Sequence, residues 1–411
     1  MKTLFKILCF IMFIPACTGQ NDPVYKIPTD ATPIKLTVAQ QNRVGQDNEF
    51  AFDLLKNSIS TSGETNVFIS PLSVSIALGM AWNGAVGTTK TEMETALKMS
   101  GMSVDDINSY YKIMQSTLPG IDPTTKLSIA NSLWYRTGFA VKHAYLQVNK
   151  DYFNAYVKEL DFSQAWAVDT INNWCSAKTN KMIPKVLDNI PSDIVMYLIN
   201  AEYFKGIWRK KFDKTQTTLS SFTNELGNQV NVNMMYQKDT FAYSVDNYAQ
   251  YLDMPYGNKA FSMTVILPVD GKTNADVLNY LTAEKFNSIL GYMPTKKVEV
   301  HMPRFNTKND LNMIPPLQNM GMKQAFTDFA DFSNIADAQL LISTIKHITN
   351  IEVTEEGTEA AAVTIIGVGV TSMPVDPDPV FRVNKPFLFV IREKSTGVIL
   401  FMGKMGTVEK F

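Results

Sequence analysis

Between Ala360 and Met373 the chain runs fourteen residues without a charge or a proline, and half of them are β-branched. That composition suits a strand buried in a sheet. Yet the stretch opens on three alanines and contains Gly367 and Gly369, and glycine weakens a strand interior. Pro374, Pro377 and Pro379 follow at once. Two readings stay open: a buried strand with a loop after it, or a loop held outside a sheet and able to enter it. On a strand, Thr358, Ala360, Ala362, Thr364, Ile366, Val368 and Val370 would share one face, small or apolar throughout, with Glu359 and Thr371 on the other. The tiny leading residues would let such a segment start between two existing strands without a large steric barrier.

The N-terminus is of another kind. Lys2 and Lys6 flank the start of an apolar run from Ile7 to Ile14, and Ala16 precedes Cys17. A bilayer takes about 20 residues to span, so residues 1–16 read as a signal peptide. Ile14-Pro15-Ala16-Cys17 resembles a bacterial lipobox, although Pro15 departs from its usual residue. The resemblance implies acylation of Cys17 and an exported protein of the cell envelope, either an outer-membrane lipoprotein or a secreted one. Residues 17–36 hold Pro23, Pro28 and Pro33 and read as a lipid-anchored or flexible linker. With Cys9 removed and Cys17 acylated, Cys175 is left alone, so no intrachain disulfide is expected. Beside Trp174 on a helical pattern, Cys175 reads as a small buried hydrophobe.

Residues 37–411 show no second linker, repeat or low-complexity run. They read as one large domain, and a chain 45% hydrophobic can bury an ample core. Net charge is −1 with no basic block, so nucleic acid is not an expected partner. The sequence lacks Gly-x-Ser-x-Gly, His-Glu-x-x-His, Cys-x-x-Cys and a P-loop. No enzyme, cofactor or metal site is therefore expected, and His143 and His301 read as structural.

Helical periods run from Thr37 to Ser60, Thr88 to Lys98, Asp105 to Leu118 and Asp169 to Ile183, the last with Ile171, Trp174, Cys175 and Thr179 on one face. A β-prone stub at Asn66–Ile69 leads into a helix, Val74–Trp82, that is apolar nearly all round and so should be buried. Pro71 fits just inside its start. Strands are expected at Leu127–Trp134, Val195–Trp208, Leu252–Tyr256, Ser262–Pro268, Val298–Phe305 and Leu340–Val353.

Against this frame, Glu355-Glu356-Gly357-Thr358-Glu359-Ala360-Ala361-Ala362 resembles the hinge of the reactive-centre loop of the serpins. Asn384-Lys385-Pro386-Phe387 and Leu400-Phe401-Met402-Gly403-Lys404 resemble that family's C-terminal landmarks. The segments at Asn66–Ser73, Leu127–Trp134, Asn200–Trp208 (with Phe204-Lys205-Gly206-Ile207-Trp208) and Met320–Ser333 match its order. The resemblance implies an α+β serpin fold: one large domain, three β-sheets, eight or nine helices, and an exposed reactive-centre loop at 355–380.

It also implies a function, a suicide-substrate inhibitor of serine proteases. The scissile bond is expected fourteen residues after Gly357, at Thr371-Ser372, with the bonds after Val370 and Met373 as alternatives. Val368, Gly369 and Val370 would set specificity. No Lys or Arg occurs from Gly357 to Phe381, which favours elastase-like or subtilisin-like targets over trypsin-like ones. The hinge would comprise Glu355, Gly357, Thr358, Glu359, Ala360, Ala361 and Ala362. Ser70, Ser73, Asn200 and His347 would form a gate beneath the loop, and Trp208, Arg304 and Glu355 the point where it enters. Lys112 is the only basic residue of the helix that binds heparin in some relatives, so heparin activation is not expected. A monomer is expected. The alternative is a non-inhibitory serpin that binds or carries a ligand.

Overall fold

The computed structural model describes residues 29–358 and 378–411. The signal segment, Cys17 and loop residues 359–377 lie outside these. So do the expected scissile bond, the specificity positions and hinge residues Glu359 to Ala362.

A six-stranded sheet has the order β10 (Phe305–Asn312), β11 (Lys346–Thr354), β12 (Gly357–Thr358), β4 (Met196–Ile207), β2 (Lys126–Arg136), β3 (Tyr156–Leu160). All neighbours are antiparallel except β2 and β3. A nine-stranded sheet runs β1 (Val67–Ile69), β15 (Ile399–Met405), β14 (Phe387–Glu393), β8 (Phe261–Pro268), β7 (Ala249–Pro255), β6 (Gln229–Val245), β9 (Thr295–Pro303), β13 (Val380–Arg382), with β5 (Thr218–Thr223) also on β6. The resemblance implied three sheets. Hydrogen bonding joins them into two, because the 17-residue β6 pairs in turn with β5, β9 and β7 and so carries one ladder into the next.

The central strands are legible from composition. β14 and β15 are buried at every position, with Phe387–Ile391 and Ile399–Met402 as apolar runs and Arg392, Glu393 and Lys404 as buried charges. Nine α-helices occur among the described residues. The first, α1 (Val38–Ser62), opens on a capping box in which Thr37 and Gln40 satisfy each other's backbone N–H. It ends at Gly63, whose φ of +69° suits glycine. The second, α2 (Pro71–Trp82), has Pro71 at its first turn and Ser70 as N-cap. It is buried along nearly its whole length and packs against both β4 and β15, linking the two sheets.

Two expected boundaries move furthest. The helix expected at 169–183 spans Trp166–Lys178. It stops because Asn180 and Lys181 adopt positive φ, which ends the right-handed run. The strand expected from Leu340 begins only at Lys346. Residues 340–345 line a cavity of about 520 Å³ instead. The segment before Thr37, read as a linker, already meets the body at Asp30, which pairs with Arg209 (3.1 Å) and Lys259 (2.8 Å).

Among the described residues no helix is long and apolar enough to cross a membrane.

Candidate functional site: a hinge between two strands and the polar cluster beneath it

The chain turns back on itself after β11. Glu355 and Glu356 make the turn, and Gly357 and Thr358 then pair antiparallel to Thr354 and Val353 on one side and to Ile207 and Gly206 on the other. Among the described residues β11 and β4 share no ladder below these two, and β12 lies between them. Gly357 is dictated by this geometry. Its φ is +146°, and a Cβ there would lie 2.0 Å from the carbonyl oxygen of Gly206.

Trp208 anchors the turn. Its indole lies flat on Tyr256 at 4.5 Å, its Nε1–H donates to the Thr354 carbonyl (2.9 Å), and its backbone N–H donates to the Glu356 carbonyl (2.9 Å). Glu355 is buried yet charged. Arg304 Nε donates to both of its oxygens (2.8 and 2.9 Å), and Thr217 Oγ1 donates at 2.5 Å. Burial pushes this carboxyl up, but the hydrogen bonds from Arg304 and Thr217 outweigh it and hold Glu355 below the usual range. Glu356 pairs with Lys211 (2.8 Å) and Lys214 (3.4 Å). Thr358, at 3% exposure, meets the hydroxyl of Tyr256 at 2.7 Å.

Further down, the structure brings Ser70, Ser73, Asn200 and His347 into one hydrogen-bonded cluster. His347 Nε2 accepts the Ser70 N–H at 2.9 Å, which places the ring proton on Nδ1. Burial pushes the ring down to about 4, so it is neutral at pH 7. The Ser70 hydroxyl caps α2 by accepting from Ser73 N–H (3.2 Å) and donates to the Leu400 carbonyl (2.9 Å). The Ser73 hydroxyl donates to Asn200, whose amide donates to Asn131 (2.6 Å), and Asn131 donates to the Phe153 carbonyl (2.7 Å). On β11, Thr349 donates to the Phe68 carbonyl (2.7 Å). The cluster thus ties β4 and β11, the two strands that do not pair, to α2, β1 and β15.

Sequence reasoning missed Glu202, which is buried in this cluster with one carboxyl oxygen against the Ser70 hydroxyl. The available signal was a charge in an apolar strand, two residues from Asn200 and hence on its face. It also missed Tyr256, Thr217 and Lys211, which distant elements contribute.

Cys175 is buried, and burial pushes its thiol up to about 12, which suits packing rather than nucleophilic chemistry. His301 pairs with Glu299 (2.9 Å), and His143 begins a surface helix. Among the described residues no group of His, Cys, Asp or Glu could hold a metal ion.

The family model described as Serpin (serine protease inhibitor) matches residues 45–407. An uncharacterised serpin-like protein of Thermococcus kodakarensis is 32% identical, with 98% of each chain covered. Iripin-2 of Ixodes ricinus is 33% identical, again over 98% of each. The crystal structure of tengpin, a thermophilic serpin, in the native state superposes with a TM-score of 0.83 at 32% identity, covering 92% of this chain and 97% of that one.

Proposed function

The chain belongs to the serpin family, a family of protease inhibitors and not of enzymes, and on that premise we propose that it traps serine proteases by inserting its cleaved loop into the six-stranded sheet. One observation carries the reading. Gly357 and Thr358 already occupy the slot between β11 and β4, and beneath them those strands share no ladder. Continued in that register, an entering strand sets Ala360 opposite Phe204 and Ile351, Ala362 opposite Glu202 and Thr349, and Thr364 opposite Asn200 and His347. Ala360, Ala362 and Thr364 are small, so the gate cluster can re-form around them.

In the proposed reaction the protease serine attacks the bond after Thr371 and forms an acyl-enzyme, releasing the new amino terminus at Ser372. Residues Thr358 to Thr371 then enter as a strand of roughly 45 Å, at about 3.3 Å per residue. The acylated protease is carried with its end, and insertion must outrun deacylation by water. New strand pairing and apolar burial drive the step. Val368, Gly369 and Val370 suit an elastase-like pocket, which accepts small side chains. The small hinge residues weigh against the alternative, a serpin that only binds a ligand.

Incubation with an elastase tests this directly. A complex that survives denaturing electrophoresis is expected, with a released C-terminal fragment that mass spectrometry finds to begin at Ser372. Fragments beginning at Thr371 or Pro374 would shift the cut to a neighbouring bond. Clean cleavage without a stable complex would sink the trap.

We further propose that the chain is exported with Cys17 acylated, which the leader sequence alone supports. Palmitate labelling that disappears in Cys17→Ser is the expected result.

A further inference from the structure

Glu202 lies on β4 between α2 and β15, 9% exposed, among groups that offer no positive charge. α2 carries no ionisable residue, and on β2 its partner is Ile129. The ionisable groups lining the same cavity are Cys175, Asp193, Tyr197, Tyr203, Lys346 and His347. Lys346 is paired with Asp310 at 3.0 Å, and His347 is neutral because its Nε2 accepts from Ser70. Among the described residues Glu202 has no ion pair, and its Oε1 has no hydrogen-bond partner.

Proton counting at Ser70 then fixes the state of the acid. The Ser70 hydroxyl owns one hydrogen. The Leu400 carbonyl can only accept, so it takes that hydrogen. Ser73 N–H supplies its own. The hydroxyl is also placed to donate to Glu202 Oε2, but one hydrogen cannot serve both acceptors, so we assign the hydrogen of this second contact to Glu202. A carboxylate there would face a second acceptor with no hydrogen between them.

We infer that Glu202 is a neutral carboxylic acid that donates to Ser70 in the gate, and that loss of this proton slows the entry of a strand between β4 and β11. The first half stands on the hydrogen-bond geometry alone; the second rests on the insertion reading above. Burial raises this carboxyl to about 8, so the gate keeps its proton through neutral pH and loses it above. An entering strand covers Glu202 further, so only the protonated form is admitted. His347 titrates well below this range and leaves the alkaline window to Glu202.

Two readouts on the full-length protein test the two halves. Infrared difference spectra between wild type and Glu202→Gln should show a protonated carboxyl band at pH 6.5 that fades as pH passes about 8. Its absence at pH 6.5 overturns the neutral acid. The rate of loop insertion after cleavage should be compared in the two proteins, because their ratio cancels the protease's own pH profile. The variant-to-wild-type ratio should rise by up to about tenfold per pH unit above 8, the dependence a single required proton gives. A flat ratio overturns the coupling to strand entry. Insertion in neither protein overturns it together with the trap, while the infrared band still decides the state of Glu202. Glu202→Leu, which also has no proton to lose, serves as the second variant should the amide destabilise the fold.

Discussion

Gly357 and Arg304 hold the hinge by different means. At Gly357 the constraint is steric, since a Cβ meets the Gly206 carbonyl and the Ile207 backbone. Gly357→Ala is expected to cost roughly 1–3 kcal/mol, typical of forced overpacking, and to expel β12 from the sheet. Hydrogen exchange at residues 354–358 should quicken; unchanged protection there would refute the assignment. At Arg304 the constraint is electrostatic. Glu355 is 1% exposed, and Arg304 supplies most of its donors. Arg304→Ala should therefore cost about 1.5–3 kcal/mol, the range for hydrogen bonds to charged groups, read as a lower denaturation midpoint at pH 7. The folded pKa of Glu355 is depressed, so its contribution is present above its ordinary value near 4.5 and lost as pH falls through the folded one. Wild type and Arg304→Ala should converge in stability as the medium is acidified below that value. A gap that stays constant down to acid pH would show that the pair does not lock the turn.

At the scale of elements, β12 matters most, and it is two residues long. Thr358 lies buried between β11 and β4 with its hydroxyl on Tyr256. Thr358→Arg would place a charge in that slot, and an unpaired charge is costly to bury. The variant should be cut by an elastase at the wild-type rate but form no complex stable to denaturing electrophoresis; a stable complex would show that insertion does not start here. How far these elements could be read in advance follows from their physics. Pro71 marks the start of α2, and the apolar run from Ser262 to Pro268 marks β8, because those signals are local. The start of the strand expected from Leu340 misled, because residues 340–345 carry strand-like composition but pair with no strand among the described residues. Pairing is a property of the neighbour and is not written in the segment. The four gate residues came from resemblance. Glu202, which breaks the apolar pattern of β4, needed three dimensions to acquire its partner on α2.

At the scale of the whole molecule, the proposed function requires a fold held short of its most stable arrangement. Among the described residues fifteen strands and nine helices pack around one principal core, yet β4 and β11 share no ladder with each other there below the hinge, and a cavity of about 520 Å³ adjoins them. A strand placed there would complete the backbone ladder and bury apolar surface, stabilising by about 25 cal/mol for each Å² removed from water. On the proposed function, a cut at Thr371-Ser372 would free the segment to do so. Thermal unfolding of the same preparation before and after that cut is the most direct test. The midpoint should be higher in the nicked protein, whereas an equal or lower midpoint would show that no strain is stored in the intact fold.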